Sequence, residues 1–313
     1  MSKITKPTRD AYGDALLDLG KVMDNVYVVD ADVGKSMRTV PFQEAYPKQH
    51  INVGIAEQAA AGVACGLATL GKVPIISTYA VFGSMRCVEQ VRQSACYPNL
   101  NVKIACSHAG LTPANDGGSH QGIEDMGIYR TIPNMTVIMG ADYNATRKLV
   151  TSMVKDHVGP CYIRFTRDAV PGIYDEDATF EIGVANKLAD GNDVTIIAVG
   201  DVMIFAVEAV EALKAKGINA RLLDMHTIKP LDEKAVHAAL KETKGIVTVE
   251  DHNIMNGLGS AVAEYVCENG GGQVKRVGIQ DKFGESGPYD VLLKQNGITT
   301  DAIVAKAIEI VEG

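Results

Sequence analysis

Apolar residues fall into runs of two lengths along the chain, and these lengths separate expected strands from expected helices. Short runs rich in β-branched residues, such as 26–29, 102–106 and 193–200, are typical of buried strands. Longer segments with apolar residues at helical spacing lie between them, for example 204–216 and 232–243. Strands that alternate with helices predict parallel sheets with helices on both faces.

A change in this pattern divides the chain into two units. Residues 168–192 contain few apolar runs, several acids and three glycines, which is typical of a connection between domains. We therefore predict an α/β protein of two domains, each with a mostly parallel sheet flanked by helices. The predicted first domain is 1–170, the linker is 171–191, and the second domain is 192–313.

One strand–helix junction carries a single charge in apolar surroundings. The apolar run 51–55 leads into the almost entirely apolar segment 59–70, and Glu57 lies between them. Because segment 59–70 has so few polar groups, we expect a helix buried on all sides. Glu57 is then expected to be partly desolvated among apolar neighbours, which favours a carboxyl group that keeps its proton for donation. The alternative is an acid that complements the helix dipole.

Composition and charge narrow the classes of function. A chain of 313 residues, 46% hydrophobic, can bury a substantial core, and its net charge of −8 argues against nucleic acid or an anionic membrane as the main partner. No apolar run reaches the length of a membrane span, and residues 1–5 lack the apolar core of a secretory signal. The six cysteines show no Cys-x-x-Cys spacing and are expected to be reduced core residues. These features predict a cytoplasmic protein.

A long irregular segment, 107–124, follows the predicted strand 102–106. It contains His108, His120 and four glycines at the carboxyl end of a parallel strand, where open α/β sheets bind ligands. The histidines are candidates for general acids or bases near neutral pH, or for hydrogen-bond donors to a substrate oxygen. Zinc is disfavoured because no histidine pair has the usual ligand spacing. A solvated surface loop is the remaining alternative.

Several stretches taken together resemble the transketolase family. They are Asp32, Gly54-Ile55-Ala56-Glu57-Gln58, Ser107-His108-Ala109-Gly110, residues 116–122, Arg164-Phe165-Thr166-Arg167, residues 249–253 and residues 281–287. The resemblance spans nearly the whole chain and implies a pyrimidine-binding domain followed by a transketolase C-terminal domain. More narrowly, the chain is similar to the C-terminal subunit of a split, two-chain transketolase.

The resemblance implies contacts to the aminopyrimidine of thiamine diphosphate, the cofactor of this family. Glu57 corresponds to the catalytic glutamate that hydrogen-bonds the ring nitrogen N1′. Tyr79, Phe82 and Met85 correspond to the pocket that stacks on the pyrimidine. Met85 departs from the family pattern, which often has another aromatic residue there, and it fits a helix core equally well. Asp32 corresponds to an acid beside the cofactor.

The resemblance also implies a site for a phosphorylated sugar. His120, a second predicted catalytic residue, and Asp116 correspond to positions that contact substrate hydroxyls. The positions that grip the sugar phosphate correspond to Arg9, Ser36, His108 and Arg167. Guanidinium groups suit this task because they form bidentate bonds to phosphate oxygens. A solvated surface arginine is the alternative for Arg9. For Arg164 the alternative is a structural ion pair, and Arg164 is therefore not assigned to the site.

A metal motif of the family is missing from the sequence. Relatives bind the diphosphate through Mg²⁺ with a Gly-Asp-Gly stretch followed by asparagine, and Asp190-Gly191-Asn192 lies in the predicted linker instead. We therefore predict no metal ligand in this chain and an N-terminal partner subunit that holds Mg²⁺ or another divalent ion, in a heterotetramer with two copies of each chain. Such a chain should expose an apolar interface, which suits helix 59–70.

The implied activity is transfer of a two-carbon ketol unit between sugar phosphates, as in the pentose phosphate pathway. One alternative is 1-deoxy-D-xylulose-5-phosphate synthase, which shares residues 55–58 and 120–122 but typically has arginine where this chain has His108. A second is the beta subunit of a 2-oxoacid dehydrogenase, whose loop differs from 116–122. A non-catalytic assembly subunit is disfavoured because it has no reason to keep Glu57, His120 and Arg167 together.

Overall fold

The expected alternation of strands and helices is present in the structure, a computed structural model that describes residues 4–313. Residues 1–3, on which the expectation about a secretory signal partly rests, lie outside the described part. The strands are β1 (Thr5–Pro7), β2 (Val26–Asp30), β3 (His50–Asn52), β4 (Val73–Tyr79), β5 (Lys103–Ser107), β6 (Thr136–Ile138), β7 (Cys161–Arg164), β8 (Ala169–Pro171), β9 (Asn186–Ala189), β10 (Val194–Ala198), β11 (Ala220–Asp224), β12 (Thr227–Lys229), β13 (Gly245–Asn253) and β14 (Gln273–Ile279).

The helices account for most of the remaining chain. They are α1 (Thr8–Val22), α2 (Gly34–Met37), α3 (Val40–Ala45), α4 (Glu57–Thr69), α5 (Ala80–Met85), α6 (Val88–Gln90), α7 (Asp125–Arg130), α8 (Tyr143–Lys155), α9 (Met203–Lys214), α10 (Glu233–Glu242), α11 (Leu258–Glu268), α12 (Tyr289–Gln295) and α13 (Thr300–Glu312). A π-helical turn, Val91–Cys96, continues α6. Within residues 4–313, no helix is long and apolar enough to cross a membrane.

The first sheet has seven strands in the order β12-β6-β7-β5-β4-β2-β3, and only β12 is antiparallel to its neighbour. Successive residues of β4 face opposite sides, as the strand period of two requires. Ile75 belongs to the core that includes Leu16 of α1 and Met153 of α8. Ile76 belongs to the core that includes Ala60 of α4. The sheet is therefore covered on both faces.

The second sheet has five strands in the order β14-β13-β10-β11-β9, with β9 antiparallel to β11. One face packs against α9 and α13 through residues such as Ala206 and Ile303. On the other face, Ile197 and Val262 belong to the same continuous core as Ile76 of the first sheet. Segment 171–191 contains β9, which extends the second sheet. The two sheets thus share one apolar core.

Strand β12 was not expected from the sequence. It belongs to the second half of the chain but pairs with β6 at the edge of the first sheet, with Thr227 opposite Ile138. Strands β1 and β8 form a separate antiparallel pair, with Thr5 opposite Pro171. Both pairings depend on contacts between distant segments, which local periodicity does not report.

Two expectations around the strand–helix junction are wrong. The strand is shorter than residues 51–55: β3 ends at Asn52, lies at the sheet edge and is not buried, and Gly54 has a φ of 73°. Helix α4 is not buried on all sides, because Ala59, Gly62 and Gly66 are exposed along one face. This face of small residues agrees with the expected need for an interface. A further expectation about the cysteines fails for Cys267, which is exposed, whereas the other five are buried.

Candidate active site

The predicted site residues follow strand ends at one edge of the first sheet. Asp32 comes shortly after β2, Tyr79 ends β4, His108 directly follows β5 and Arg167 follows β7. Glu57 is the first residue of α4, which follows β3. Because β3, β2, β4, β5 and β7 are parallel, their carboxyl ends meet at the same edge. Residues scattered over more than a hundred positions are thereby brought together.

The aromatic and histidine side chains form one cluster. The Tyr79 ring stacks on the His108 ring with centroids 3.8 Å apart and on the Phe82 ring at 5.5 Å. The His120 ring meets Phe82 edge-on at 5.6 Å and lies 6.1 Å from Tyr79. Met85 is 49% exposed, so it lies at the rim and the helix-core alternative does not hold. Both histidines of the long loop therefore lie beside the predicted cofactor pocket.

Glu57 is buried, with only 5% of its surface exposed, but its neighbours are not all apolar. The Arg86 guanidinium donates a hydrogen bond from Nη1 to Glu57 Oε1 at 2.6 Å. The same guanidinium lies over the Phe82 ring, with Cζ 3.9 Å from the centroid. The expectation of a carboxyl group in purely apolar surroundings is therefore wrong. Arg86 was missed, although its position four residues after Phe82 in a helical segment was a usable signal.

His108 and His120 differ in burial and in chemistry. His108 is buried, and its Nδ1 lies 2.7 Å from Ser107 Oγ. Burial, and next the charges of Arg9 and Arg167, lower the pKa of His108 to about 3. At neutral pH this imidazole is uncharged, so a general-acid role for His108 near neutral pH is wrong and a hydrogen-bonding role remains. His120 is half-buried, with Nδ1 3.0 Å from Ser119 Oγ.

Arg9 has a hydrogen-bond donor without a partner. Its Nη1 donates to the backbone oxygen of Ser36 at 3.2 Å, while its Nε is buried and has no hydrogen-bond partner. Burial and the charge of nearby arginines, Arg38 first, lower the pKa of Arg9. A desolvated guanidinium with a free donor is a suitable contact for an anion. The surface-arginine alternative does not fit this burial.

Arg167 lies on the other side of the same space. Arg9 and Arg167 both line a cavity of about 660 Å³, which residues of the second domain, including Tyr289, also line. The Arg167 guanidinium donates to the backbone oxygen of Pro113 at 2.6 Å and lies 3.3 Å from Asp116 Oδ2. Asp116 is exposed. The two arginines predicted to grip a phosphate therefore share one cavity.

Asp32, Ser36 and Tyr79 line a second cavity, of about 380 Å³. Asp32 is exposed, has a φ of 64°, and accepts a hydrogen bond from Asn52 Nδ2 at 3.0 Å. Asn52 and His50 also line this cavity and were not anticipated. Their place in β3, whose register sets Asn52 beside the end of β2, was the available signal.

Arg164 forms a structural ion pair beneath the site. It is buried, and its Nη1 lies 2.6 Å from Asp125 Oδ1 while its Nη2 donates to the Asp251 backbone oxygen at 2.6 Å. The Asp251 carboxylate in turn accepts from the Leu111 amide at 2.9 Å. Gln121 Nε2 donates to the Glu285 backbone oxygen at 3.0 Å. The second domain therefore holds the loop that carries both histidines.

The donor set fits one end of the expected cofactor. A buried carboxylate beside an aromatic ring suits an aminopyrimidine, and Glu57 with Phe82 already engages a flat hydrogen-bond donor, the Arg86 guanidinium. In the part of the chain that the structure describes, no group of three or more His, Cys, Asp or Glu side chains is placed to hold a metal ion. The described residues therefore fit the pyrimidine.

Comparison with known proteins agrees with this fold and site. Residues 5–172 match the family "Transketolase, pyrimidine binding domain", and residues 183–303 match "Transketolase, C-terminal domain". The chain belongs to the transketolase family. A putative transketolase C-terminal section from Methanocaldococcus jannaschii is 44% identical over 99% of this chain and 98% of its own length. The chain thus corresponds, over nearly its full length, to the C-terminal section of transketolases made of two chains.

Two further relatives extend this correspondence. The 6-deoxy-6-sulfo-D-fructose transketolase subunit SqwH from Clostridium sp. is 40% identical over 97% of this chain and 94% of its own length. A solved structure described as a split gene transketolase, inactive beta4 tetramer, superposes with a TM-score of 0.90 at 43% identity, covering 98% of each chain. Both are proteins of similar length to this chain.

The synthase alternative matches less well. 1-Deoxy-D-xylulose-5-phosphate synthase from Desulfotalea psychrophila is 33% identical over 96% of this chain, but the match covers 47% of that protein. The two-chain transketolases therefore describe this chain better than the synthase does.

Proposed function

We propose that this chain is the C-terminal subunit of a two-chain transketolase, which transfers a two-carbon ketol unit from a ketose phosphate to an aldose phosphate. The observation that carries the proposal is the buried Glu57, which Arg86 connects to the Phe82 ring in the cluster of Tyr79, His108 and His120. Thiamine diphosphate, when bound, supplies a nucleophilic carbon and an electron sink for cleavage next to a carbonyl.

On the cofactor side, this chain's residues bind and orient. Glu57, fixed in the first turn of α4, hydrogen-bonds N1′ of the pyrimidine. Tyr79 and Phe82 stack on the pyrimidine, Met85 lies at the rim, and Asp32 lies beside the pocket in the cavity that Tyr79 also lines. These assignments are supported by the convergence of the side chains at one sheet edge.

On the substrate side, the same chain binds a sugar phosphate and moves a proton. His120 is half-buried and lies beside Tyr79 and Phe82, so it is assigned to proton transfer at a substrate hydroxyl, with Asp116 as a hydroxyl contact. His108 is uncharged and serves as a hydrogen-bond partner. Arg9 and Arg167 bind the phosphate in their common cavity, with Ser36 beside Arg9.

The proposal requires a partner chain. An N-terminal subunit would hold Mg²⁺ or another divalent ion together with the diphosphate, in a heterotetramer of two copies of each chain. The solved relative described as an inactive tetramer of beta chains supports the need for such a partner. The exposed face of Ala59, Gly62 and Gly66, flanked by exposed Ile55 and Leu70, supports close docking there.

The proposed setting is cytoplasmic sugar metabolism, as in the pentose phosphate pathway. Five of the six thiols are buried and unpaired, which supports a reducing compartment. Transfer between xylulose 5-phosphate and ribose 5-phosphate tests the proposal directly. Condensation of pyruvate with glyceraldehyde 3-phosphate by the reconstituted complex, without ketol transfer, would instead support the synthase alternative.

The decisive variant is Glu57→Ala in the reconstituted complex. We expect ketol transfer to fall by roughly two to three orders of magnitude, since the contact to N1′ is lost, while the complex still assembles. The matched control is Glu44→Ala, an exposed acid in α3, which should retain full activity. Coupled assays give the rate, and size-exclusion chromatography with light scattering gives the assembly state. Full activity of Glu57→Ala would refute the assigned role.

A further inference from the structure

Arg86 connects two residues that the proposed function assigns to the pyrimidine. Its Nη1 donates to Glu57 Oε1 at 2.6 Å, and its Cζ lies 3.9 Å from the centre of the Phe82 ring. Arg86 directly follows α5, one helical turn after Phe82, so its side chain reaches back over that ring. Neither the binding of a sugar phosphate nor the mechanism described above uses this arginine.

The contacts of Arg86 are those of a small flat cation. A guanidinium group is planar, stacks on aromatic rings and donates hydrogen bonds in its own plane to a carboxylate. An aminopyrimidine placed by Glu57 and Phe82 needs the same two contacts: a ring face for stacking and a carboxyl oxygen for an in-plane hydrogen bond. The same ring face and the same oxygen cannot serve both groups at once.

We propose that Arg86 is a latch that occupies the pyrimidine place in the cofactor-free chain and rotates outward to admit the cofactor. This inference rests on the proposed function, since it takes the pyrimidine to be the group that Glu57 and Phe82 receive. In this role Arg86 weakens the binding of the cofactor, whereas Tyr79 and Phe82 strengthen it.

The burial of the two partners determines which one moves. The Glu57 side chain is 5% exposed and is fixed by the first turn of α4, whereas the Arg86 side chain is 46% exposed. The neighbouring Met85 is also largely exposed, so solvent is accessible beside the guanidinium. Rotation of Arg86 therefore moves a charge from the pocket into water, which costs little desolvation, and leaves Glu57 in place for its new partner.

The energetic effect of the latch is modest because one partner is half exposed. Exposed cation–π contacts and partly exposed ion pairs are each weak. We expect the latch to weaken cofactor binding about tenfold, which corresponds to about 1.4 kcal/mol. A contact of this strength keeps Glu57 paired while the site is empty and still yields to a ligand that binds well.

The test is the dissociation constant of thiamine diphosphate for the reconstituted complex, measured by isothermal titration calorimetry at fixed Mg²⁺. Arg86→Ala removes the competitor, and we expect binding about tenfold tighter than in the wild type. Arg86→Lys keeps a charge for Glu57 but loses the planar stack, so its affinity should lie between the two. The matched control is Arg92→Ala, an exposed arginine of the following turn whose guanidinium contacts Gln93, and it should bind like the wild type.

The outcomes separate this inference from the proposed function. Weaker or unchanged binding by Arg86→Ala would overturn the latch, since a residue that orients Glu57 or touches the cofactor loses affinity when it is removed. Failure of the wild-type complex to bind thiamine diphosphate at all would instead overturn the proposed function. Thermal unfolding of each variant, compared with the wild type, verifies that the chains are folded before titration.

Discussion

Two arginines three positions apart, Arg164 and Arg167, show how differently the molecule uses the same side chain. Arg164 is 1% exposed and bonded to Asp125 and to two backbone oxygens, those of Gly122 and Asp251. Arg167 is 33% exposed, and its ion pair with Asp116 is longer, at 3.3 Å. One guanidinium joins two domains and the other faces a cavity.

The difference shows that burial separates charges that stabilise the fold from charges that are available to bind a ligand at this sheet edge. A buried charge needs nearly all of its hydrogen bonds satisfied within the protein, which leaves none for a ligand. The cleft arginines are incompletely satisfied: Arg9 has a buried Nε without a partner, and Arg167 has one carbonyl and one loose ion pair. Spare donors in the cleft are what a phosphate requires.

The largest expected effect comes from breaking the buried ion pair of Arg164, which also contacts the second domain. Arg164→Met leaves Asp125 buried without its cation, and we expect the free energy of unfolding to fall by about 3–5 kcal/mol. Arg167→Met, the matched change in the cleft, should cost about 1 kcal/mol or less. Urea denaturation followed by circular dichroism measures both. Equal losses in the two variants would contradict the division of roles.

Substitution of Arg167 should weaken the binding of phosphorylated sugars. Arg167→Ala in the reconstituted complex removes a charge-assisted contact, so the apparent KM for phosphorylated sugars should rise roughly tenfold to a hundredfold with little change in kcat. Arg147→Ala provides the control, because Arg147 lies on α8 and forms a surface ion pair with Asp18 of α1. An unchanged KM in Arg167→Ala would count against the phosphate assignment.

The stability of the contact between the two domains should also depend on pH. Burial and the neighbouring Asp201 raise the pKa of Asp251 to about 8. The folded chain therefore keeps a proton that the unfolded chain releases above about pH 4, so stability falls as pH rises through this interval and levels off above pH 8. Asp251→Asn should flatten this slope by up to about 1.4 kcal/mol per pH unit.

Denaturation curves between pH 6 and 9 measure this slope. The exposed acid Asp24 offers the control, because Asp24→Asn leaves the junction untouched and should keep the wild-type slope. A slope for Asp251→Asn as steep as that of the wild type would show that the proton is held elsewhere.

The smallest expected effect concerns His108. Because the pKa of His108 is lowered to about 3, this group does not titrate between pH 5 and 8. His108→Asn should lower kcat/KM but leave the acid limb of its pH profile in place. Initial rates across this pH range measure the limb, and a shifted limb in His108→Asn would contradict the low pKa of His108.

The sequence predicted those parts of the fold that depend on local pattern. Strands β2, β4, β5 and β10 were recognised because short β-branched runs are buried on both faces of a parallel sheet. The clustering of the strand-end residues followed from the same rule. The resemblance to transketolases then identified which of those residues to expect at the pyrimidine and at the phosphate.

What the sequence could not predict depends on distant contacts. The pairing of Arg86 with Glu57 joins residues 29 positions apart through the turn of the chain after β4. The exposed face of α4 could not be told from a buried one, because small apolar residues suit either a core or an interface. The low pKa of His108 depends first on its burial and then on the charges of Arg9 and Arg167, which lie far from it in the sequence.

Strand β12 has a consequence for how the molecule comes apart. Since residues from beyond the linker complete the first sheet at β6, removing the second half would strip that sheet of its border and expose the backbone of β6 to solvent. The two halves of the chain are therefore joined by strand pairing as well as by packing. Heating should melt them in a single cooperative transition, and a truncated N-terminal half should be prone to aggregate through its bare edge.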